Sequence, residues 1–151
     1  MKITLLLVLF FSFMGGQTAH GQTKKPLKPV FNHAAICVHD LKRSVTFYRT
    51  VLLLEELPNP FNDGLHAWFA IGGGMQLHVI QRDCAPLTNK NIHSCFSVVD
   101  LAEFIRHAEK LGVAYTNLKG EGKEPTLRAD GVKQIYLQDP DGYWIEINDA
   151  K

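Results

Sequence analysis

Two stretches of the chain share one pattern, an apolar strand that runs into an amphipathic helix. The first is HAAICVHDL from His33 and the second is HSCFSVVDL from His93. His, Val, Asp and Leu recur in both stretches, each pair 60 residues apart. Apolar and β-branched residues predict a strand before each Asp, and Asp40 and Asp100 stand where helix N-caps belong. The pattern indicates one folding unit used twice.

The residues after each Asp complete the unit. Apolar side chains follow at helical intervals, and Glu103 predicts a capping box with Asp100. Three short strands are then predicted, near residues 54–57, 66–71 and 75–81 and again near 114–118, 134–137 and 143–148. We therefore predict an α+β fold of two βαβββ modules, at about residues 31–82 and 91–149. Since neither module has enough apolar surface to be stable alone, the two sheets should associate and leave one side concave.

Strand alternation assigns side chains to the concave side. In the first module these are His33, Ala35, Cys37, Gln76, His78 and Ile80, and in the second His93, Cys95, Ser97, Trp144, Glu146 and Asn148. Gln76 and Glu146 are also repeat partners, 70 residues apart. Two imidazoles, a carboxylate and an amide oxygen suit a divalent metal ion with an open position for water or substrate. We predict His33, Gln76, His93 and Glu146 as the metal ligands.

Further residues are candidates for chemistry at this cavity. Glu146 and His78 are both candidate bases, and His78 is also an alternative ligand or a simple lining residue. The polar segment Lys119–Gly131 is either a solvated loop or a mobile lip, from which Arg128 or Lys123 would meet an anionic substrate. Trp68, Phe69, Tyr136 and Trp144 either line the cavity or belong to the core.

The N-terminus has the features of an export signal. Lys2 precedes an apolar run that is too short to span a bilayer, and Ala19-His20-Gly21 suits a cleavage before Gln22. We predict a cleaved signal peptide at 1–21, a polar linker at 22–30 and an exported protein, periplasmic or secreted, with no membrane span after cleavage. The alternative is an uncleaved membrane anchor.

Composition bears on the number of domains, the class of partner and the state of the cysteines. With 151 residues, 46% of them hydrophobic, the chain suits one domain, at 31–150. The net charge of +1 and the lack of a basic stripe argue against a nucleic-acid partner. Three cysteines leave at least one unpaired. We expect Cys37 and Cys95 to be small core residues, and we assign no disulfide. Whether Cys37, Cys84 or Cys95 pair stays open.

Four segments carry a family resemblance: HAAICVHDLKRSVTFYRTVLLLEEL, MQLHVI, HSCFSVVDL and DPDGYWIEI. In this order and spacing the chain resembles the vicinal oxygen chelate superfamily, the glyoxalase/bleomycin-resistance/dioxygenase family, from about Phe31 to Asp149. The resemblance implies a cup-shaped metal site with ligands at the four positions above. Glyoxalase I commonly has Glu where this chain has Gln76, whereas methylmalonyl-CoA epimerase-like members use a His/Gln/His/Glu set.

The resemblance also implies a function. It is that of a metal-dependent lyase or isomerase acting on a small substrate with two neighbouring oxygens. The ion would be Zn, Ni, Mn, Co or Fe, between which the ligand types do not decide. An extradiol-type dioxygenase and a non-catalytic ligand-binding protein of the bleomycin-resistance kind are the alternatives. Dimers are common in similar proteins, but the paired modules here could also close a complete cup within one chain. The oligomeric state, with a homodimer as one possibility, therefore stays open.

Overall fold

The computed structural model describes residues 27–85 and 89–151. The predicted signal peptide and the first part of the predicted linker lie outside these residues. The chain divides into two compact units, Met1–Val30 and Phe31–Lys151. In the first unit, the described residues 27–30 are exposed. Within the described ranges, no helix is both long and apolar enough to cross a membrane.

The first half of the second unit is a four-stranded module. Its elements are β1 (His33–Val38), α1 (Leu41–Thr50), β2 (Glu56–Leu57), β3 (His66–Ala70) and β4 (Gln76–Gln81). The strand order is β1-β4-β3-β2, with β1 parallel to β4 and the other pairs antiparallel. The helix links β1 to the rest of the sheet, as the sequence pattern predicts.

The second half repeats the plan with one addition. Its elements are β5 (His93–Ser97), α2 (Leu101–Lys110), β6 (Tyr115–Thr116), β7 (Thr126–Leu127), β8 (Lys133–Gln138) and β9 (Trp144–Asn148). The order is β5-β9-β8-β6, and β7 pairs with β8. The short strand β7 lies inside the segment that the sequence predicts as a loop or lip. The predicted α+β fold with two βαβββ-type modules is otherwise confirmed.

Both helices begin at the predicted residues. The Asp40 carboxylate accepts the backbone N–H of Arg43 at 3.0 Å, and Asp100 accepts that of Glu103 at 2.9 Å. Each cap satisfies a donor that the first helical turn leaves without a partner. The Glu103 side chain, predicted to close a capping box, instead accepts a hydrogen bond from Arg106 at 3.1 Å.

The helix ends differ between the modules. Gly112 follows α2 with a φ of 68°, and the Val113 N–H donates to the Ala108 carbonyl at 2.9 Å. In the first module one more residue separates the helix end from the left-handed residue, which is Leu53 with a φ of 56°. Its side chain is exposed, so burial does not compensate for this backbone conformation.

The core lies on the helix-covered faces of the sheets. Val38, Leu77, Val79, Ile145 and Ile147 are buried there, on the side that alternation assigns to them. Phe69 is fully buried in the same core, so it belongs to the core and does not line the cavity.

The two modules contact each other through α1 and the turn before β9. The Tyr48 hydroxyl donates to the Asp139 carboxylate at 2.7 Å, and the Ser44 hydroxyl donates to Asp141 at 3.1 Å. The backbone N–H of His39 also donates to Asp141, at 2.9 Å. The Asp-Pro-Asp-Gly turn therefore connects the modules in addition to joining β8 to β9.

The expectation that Cys37 and Cys95 are small core residues was wrong. Cys37 and Cys84 form a disulfide, with their Cα atoms 6.4 Å apart, and Cys95 is exposed rather than buried in the core. The parallel pairing of β1 with β4 explains the bridge, because it places Val38 opposite Gln81 and brings the chain just after β4 back to Cys37. This proximity depends on strand register and is not visible in the cysteine spacing.

Candidate metal centre

Two of the predicted ligands meet on the concave face of the second module. β5 and β9 run parallel, and Cys95 lies opposite Glu146 in the register. His93, two residues before Cys95, reaches across so that its Nε2 lies 3.2 Å from Oε2 of Glu146. The Glu146 side chain is 6% exposed and that of His93 is 26% exposed. The pair is therefore largely shielded but open on one side.

A backbone contact determines the protonation of His93. Its Nδ1 lies 2.7 Å from the carbonyl oxygen of Lys90, which can only accept a hydrogen bond. Nδ1 therefore carries a proton, and in the neutral ring the lone pair is on Nε2, which faces the carboxylate. Two lone-pair atoms at 3.2 Å repel each other unless a cation, either a proton or a metal ion, lies between them.

Several donors surround the Glu146 carboxylate. Tyr136 donates its hydroxyl proton to Oε2 at 2.6 Å, and Asn148 donates an amide hydrogen to Oε1 at 2.9 Å. The Cys95 thiol adds a longer contact to Oε1 at 3.4 Å. Although burial alone would raise the pKa of Glu146, these hydrogen bonds outweigh it and the pKa is lowered. The side chain is therefore an anion held in one orientation.

Two cations flank this pair. Arg128 Nη1 lies 3.6 Å from Oε1 of Glu146, while its Nη2 bonds Asp130 at 2.6 Å. Lys90 Nζ stands over the rings of Trp144 and Tyr136, 4.4 Å and 5.4 Å from their centroids. The surroundings of the Glu146 carboxylate are thus suited to a ligand that carries negative charge.

The other predicted ligands lie together on the concave face of the first module. The rings of Trp68, His78 and His33 form a parallel stack, with centroid separations of 4.2 Å and 4.3 Å. His78 Nε2 lies 2.9 Å from Oε1 of Gln76, which is an acceptor, so the ring donates to the amide. Burial is the main cause that lowers the pKa of His78, and the neighbouring His33 and His66 add to it.

His33 is oriented in the same way as His93. Its Nδ1 lies 2.8 Å from Oδ1 of Asn32, so the Nδ1 proton is donated to that oxygen. The opposite ring nitrogen is then free to bind a metal ion. In both modules a contact at Nδ1 thus leaves Nε2 as the candidate ligand atom.

The described residues do not bring these two groups together. In residues 27–85 and 89–151, no three His, Cys, Asp or Glu side chains lie close enough to hold one metal ion. The four candidates form two groups, one per module, and the single four-residue site expected within one chain is not assembled there. The donor types in each group still suit a divalent first-row ion, because imidazole, carboxylate and amide oxygen all bind such ions. The ligand assignment stays a prediction.

The predicted lip supplies one cation to this face. Arg128 reaches Glu146, whereas Lys123 pairs with Glu109 of α2 at 3.7 Å and lies over the Tyr115 ring. Sequence reasoning missed Lys90 and the part that Tyr136 and Asn148 play around Glu146. Strand alternation does place Asn148 on the concave face. The contacts of Lys90, however, are made with a turn that is distant in sequence, so no local sequence pattern predicts them.

Comparisons with known proteins agree with this architecture. Residues 30–147 match the family model described as Glyoxalase/Bleomycin resistance protein/Dioxygenase superfamily. A lactoylglutathione lyase of Pseudomonas aeruginosa is 28% identical, with 80% of this chain and 82% of that protein covered. An uncharacterized protein of Bacillus subtilis, YwbC, is 30% identical over 76% of this chain and 93% of its own length.

Solved structures show the same fold at lower identity. The lactoylglutathione lyase of Agrobacterium tumefaciens superposes with a TM-score of 0.61 at 21% identity, covering 82% of this chain and 95% of that one. The fosfomycin resistance protein FosX of Listeria monocytogenes gives a TM-score of 0.64 at 19% identity, covering 83% and 96%. With the family model matched over most of its length, the chain belongs to the Glyoxalase/Bleomycin resistance protein/Dioxygenase superfamily.

Proposed function

We propose that this protein is an exported, divalent-metal-dependent lyase or isomerase of the glyoxalase type, acting on a small substrate with two neighbouring oxygens. The observation that carries the proposal is the His93–Glu146 pair, in which Nε2 faces a buried carboxylate at 3.2 Å. Similarity to a lactoylglutathione lyase supports the reaction class. The flanking Lys90 and Arg128 favour a substrate that is itself anionic.

The metal site is completed by a second copy of the chain. His33 and Gln76 of one copy would join His93 and Glu146 of the other, which accounts for two half-sites that do not meet in one chain. Residues of β1 and β5 line one cavity within the chain, and the Tyr143 hydroxyl donates to the Cys37 carbonyl of β1 at 3.0 Å. The proposal of a second copy therefore rests on the two separate half-sites and not on free strand edges. A two-fold dimer would form two equal sites.

The protein residues would then have distinct roles. A bound divalent ion supplies Lewis-acid stabilisation of charge that develops on the substrate oxygens. Tyr136 and Asn148 fix the Glu146 carboxylate, and Asn32 and Lys90 orient the two imidazoles. Glu146 and His78 stay the two candidate bases. The Nε2 proton of His78 is donated to Gln76, so its Nδ1 is the atom that would accept a proton.

Export is supported by the disulfide. Structural disulfides persist in oxidising compartments such as the periplasm and are rare in the reducing cytosol. The Cys37–Cys84 bridge suits the exported location that the N-terminal sequence predicts.

The proposed reaction is tested with residues 22–151, loaded in turn with Ni²⁺, Zn²⁺, Mn²⁺ and Co²⁺. Each form is assayed on the hemithioacetal of a 2-oxoaldehyde. We expect turnover with at least one metal and its loss in His93→Ala and Glu146→Gln. His107→Ala is the matched control, since His107 contacts the Thr50 carbonyl away from this site. Absence of turnover with all four metals would contradict the proposed reaction.

The shared site is tested by complementation. His33→Ala and His93→Ala chains, each with a different affinity tag, are co-expressed and their metal content is measured. In a two-fold dimer about half of the assemblies are mixed, and each mixed dimer retains one intact site. About a quarter of the wild-type metal content should therefore return. Metal content no higher than in either single variant would exclude a shared site.

A further inference from the structure

Lys90 joins the candidate ligand His93 to a distant turn. Its backbone carbonyl accepts the Nδ1 proton of His93 at 2.7 Å. Its ammonium group donates to the carbonyl oxygens of Asn117 and Leu118, at 3.4 Å and 3.2 Å. The main chain at residue 90 is therefore held on one side by the ligand and on the other by the turn after β6.

The turn that carries Asn117 and Leu118 is itself held by several hydrogen bonds. Asn117 Oδ1 accepts the backbone N–H groups of Gly120 and Glu121, at 2.9 Å and 3.2 Å. The Leu118 N–H donates to the Thr126 hydroxyl at 3.0 Å, which ties the turn to β7. Gly120 has a φ of +82°, a conformation that favours glycine. The Asn117 carbonyl also accepts the Gly120 N–H at 3.1 Å. The segment that carries the two carbonyls is thus held by hydrogen bonds of its own.

The Lys90 side chain makes no ion pair with a carboxylate in the described part of the chain. Its remaining contacts are the faces of Trp144 and Tyr136. Trp144 is the strand-register partner of His93, and Tyr136 donates to Glu146. A cation over an aromatic face is attracted to the electron density of the ring. The ammonium is therefore held by the residues that surround the His93–Glu146 pair.

Two groups compete for the proton of a neutral His93. The Glu146 carboxylate, 3.2 Å from Nε2, favours a proton on that nitrogen, where it would block metal binding. The Lys90 carbonyl favours a proton on Nδ1, which leaves Nε2 free. Since the carboxylate is the stronger acceptor, the carbonyl must be kept at a short distance for the metal-binding tautomer to prevail.

We propose that Lys90 is a positioning residue that keeps His93 in the tautomer able to bind a metal ion, with its ammonium contacts fixing its own carbonyl against Nδ1. The inference rests on the proposed function for the metal, but the tautomer is a property of the metal-free chain. The two can therefore be measured separately.

The test uses metal-free protein with ¹⁵N-labelled histidine at about pH 8.5, where imidazole is usually neutral. Long-range ¹H–¹⁵N spectra show which ring nitrogen carries the proton, and His93→Gln assigns the signals. We expect His93 to be protonated on Nδ1 in the wild type and to shift towards Nε2–H in Lys90→Met. Zn²⁺ affinity, measured by chelator competition, should fall about tenfold or more in that variant.

Two further variants separate positioning from general structural damage. Lys90→Arg keeps a donor for both carbonyls and a cation over Trp144, so it should restore the wild-type tautomer. Lys123→Met removes another lysine that lies over a tyrosine ring, and it should change neither readout. Should Lys90→Met fail to fold, Lys90→Ala, which also removes the ammonium donor, serves for the same measurements.

An unchanged His93 tautomer in a folded Lys90→Met or Lys90→Ala protein would overturn the inference. So would a wild-type His93 protonated on Nε2. If the wild type shows the expected tautomer but binds no divalent metal, the proposed function fails and the positioning role stands.

Discussion

Tyr136 donates its hydroxyl proton to Oε2 of Glu146 across 2.6 Å, and the same oxygen faces Nε2 of His93. The tyrosine therefore stabilises the carboxylate in its charged form at the point where a metal ion would bind. This hydrogen bond contributes to the lowered pKa of Glu146.

Replacing Tyr136 with Phe should weaken metal binding about tenfold, because it removes a contact that orients a ligand. It should also raise the pKa of Glu146, so that protons displace the metal at a higher pH than in the wild type. Both effects are measured by Co²⁺ titration between about pH 4 and 8. Tyr115→Phe, which removes a similar hydrogen bond to Glu109, is the control. Equal pH midpoints in Tyr136→Phe and the wild type would contradict the assignment.

The turn between the modules should make stability depend on pH. Hydrogen bonds from His39 and Ser44 outweigh burial and lower the pKa of Asp141 in the folded protein. A lowered folded pKa means that the stabilisation is complete above the unfolded value, about 3.9, and is lost as the pH falls through the folded value. Asp141→Asn should thus be less stable at pH 7 and lose less stability on acidification.

Asp139 lies in the same turn, but burial raises its pKa in the folded protein. Its ionisation therefore lowers stability as the pH rises, which is the opposite of the effect of Asp141. Asp139→Asn should therefore not reduce the loss of stability on acidification. Urea unfolding of both variants at several pH values provides the measurement. A steeper loss of stability on acidification in Asp141→Asn than in the wild type would exclude this explanation.

Leu53→Gly should stabilise the protein by up to about 1 kcal/mol. The leucine has a φ of 56° and an exposed side chain, so glycine relieves the backbone without losing a buried contact. The measurement is thermal unfolding. Gly112→Ala is the reciprocal variant, since Gly112 has a φ of 68° at the equivalent helix end, and it should be destabilised by about 1 kcal/mol. A destabilised Leu53→Gly protein would show that the leucine contributes packing that outweighs its backbone conformation.

Native protein should contain one reactive thiol, that of Cys95, because Cys37 and Cys84 are bridged. Although the residue as a whole is exposed, its thiol contacts Glu146 and is partly shielded from water, and this desolvation together with the Glu146 charge raises the pKa of Cys95 to about 11. The thiolate is the reactive form, so alkylation by iodoacetamide should be slow at pH 7 and rise up to about pH 11. Cys95→Ser is the control and should incorporate no label before reduction. Fast labelling at neutral pH, at a rate equal to that of the unfolded chain, would refute the raised pKa.

The sequence was sufficient to predict the repeated module, its helix starts and the two faces of its main strands. When apolar residues alternate along a strand and one face is buried, the alternation determines which side chains face the core. Val79 and Ile147 lie in the core as expected. The strand β7 was not predicted, because Thr126 and Leu127 have no alternation of their own and pair only with the edge of β8.

The contacts within and between the half-sites were harder to predict. Whether His33 meets His93 depends on how the modules dock, which strand alternation does not determine. The disulfide depends on the β1–β4 register, and the contacts of Lys90 depend on a turn about thirty residues later in the chain. Each of these contacts joins segments that are distant in sequence, and no local sequence pattern predicts that they lie close together.

The Cys37–Cys84 bridge encloses most of the first module and none of the second. Closing a loop between cysteines 47 residues apart reduces the entropy of the unfolded chain by the equivalent of about 4 kcal/mol. Because the modules share one core and neither is expected to be stable alone, that gain stabilises both halves together. A reductant should therefore lower the stability of the whole domain, including the half that carries His93 and Glu146. The oxidation state of its surroundings thus affects a site that the bridge does not enclose.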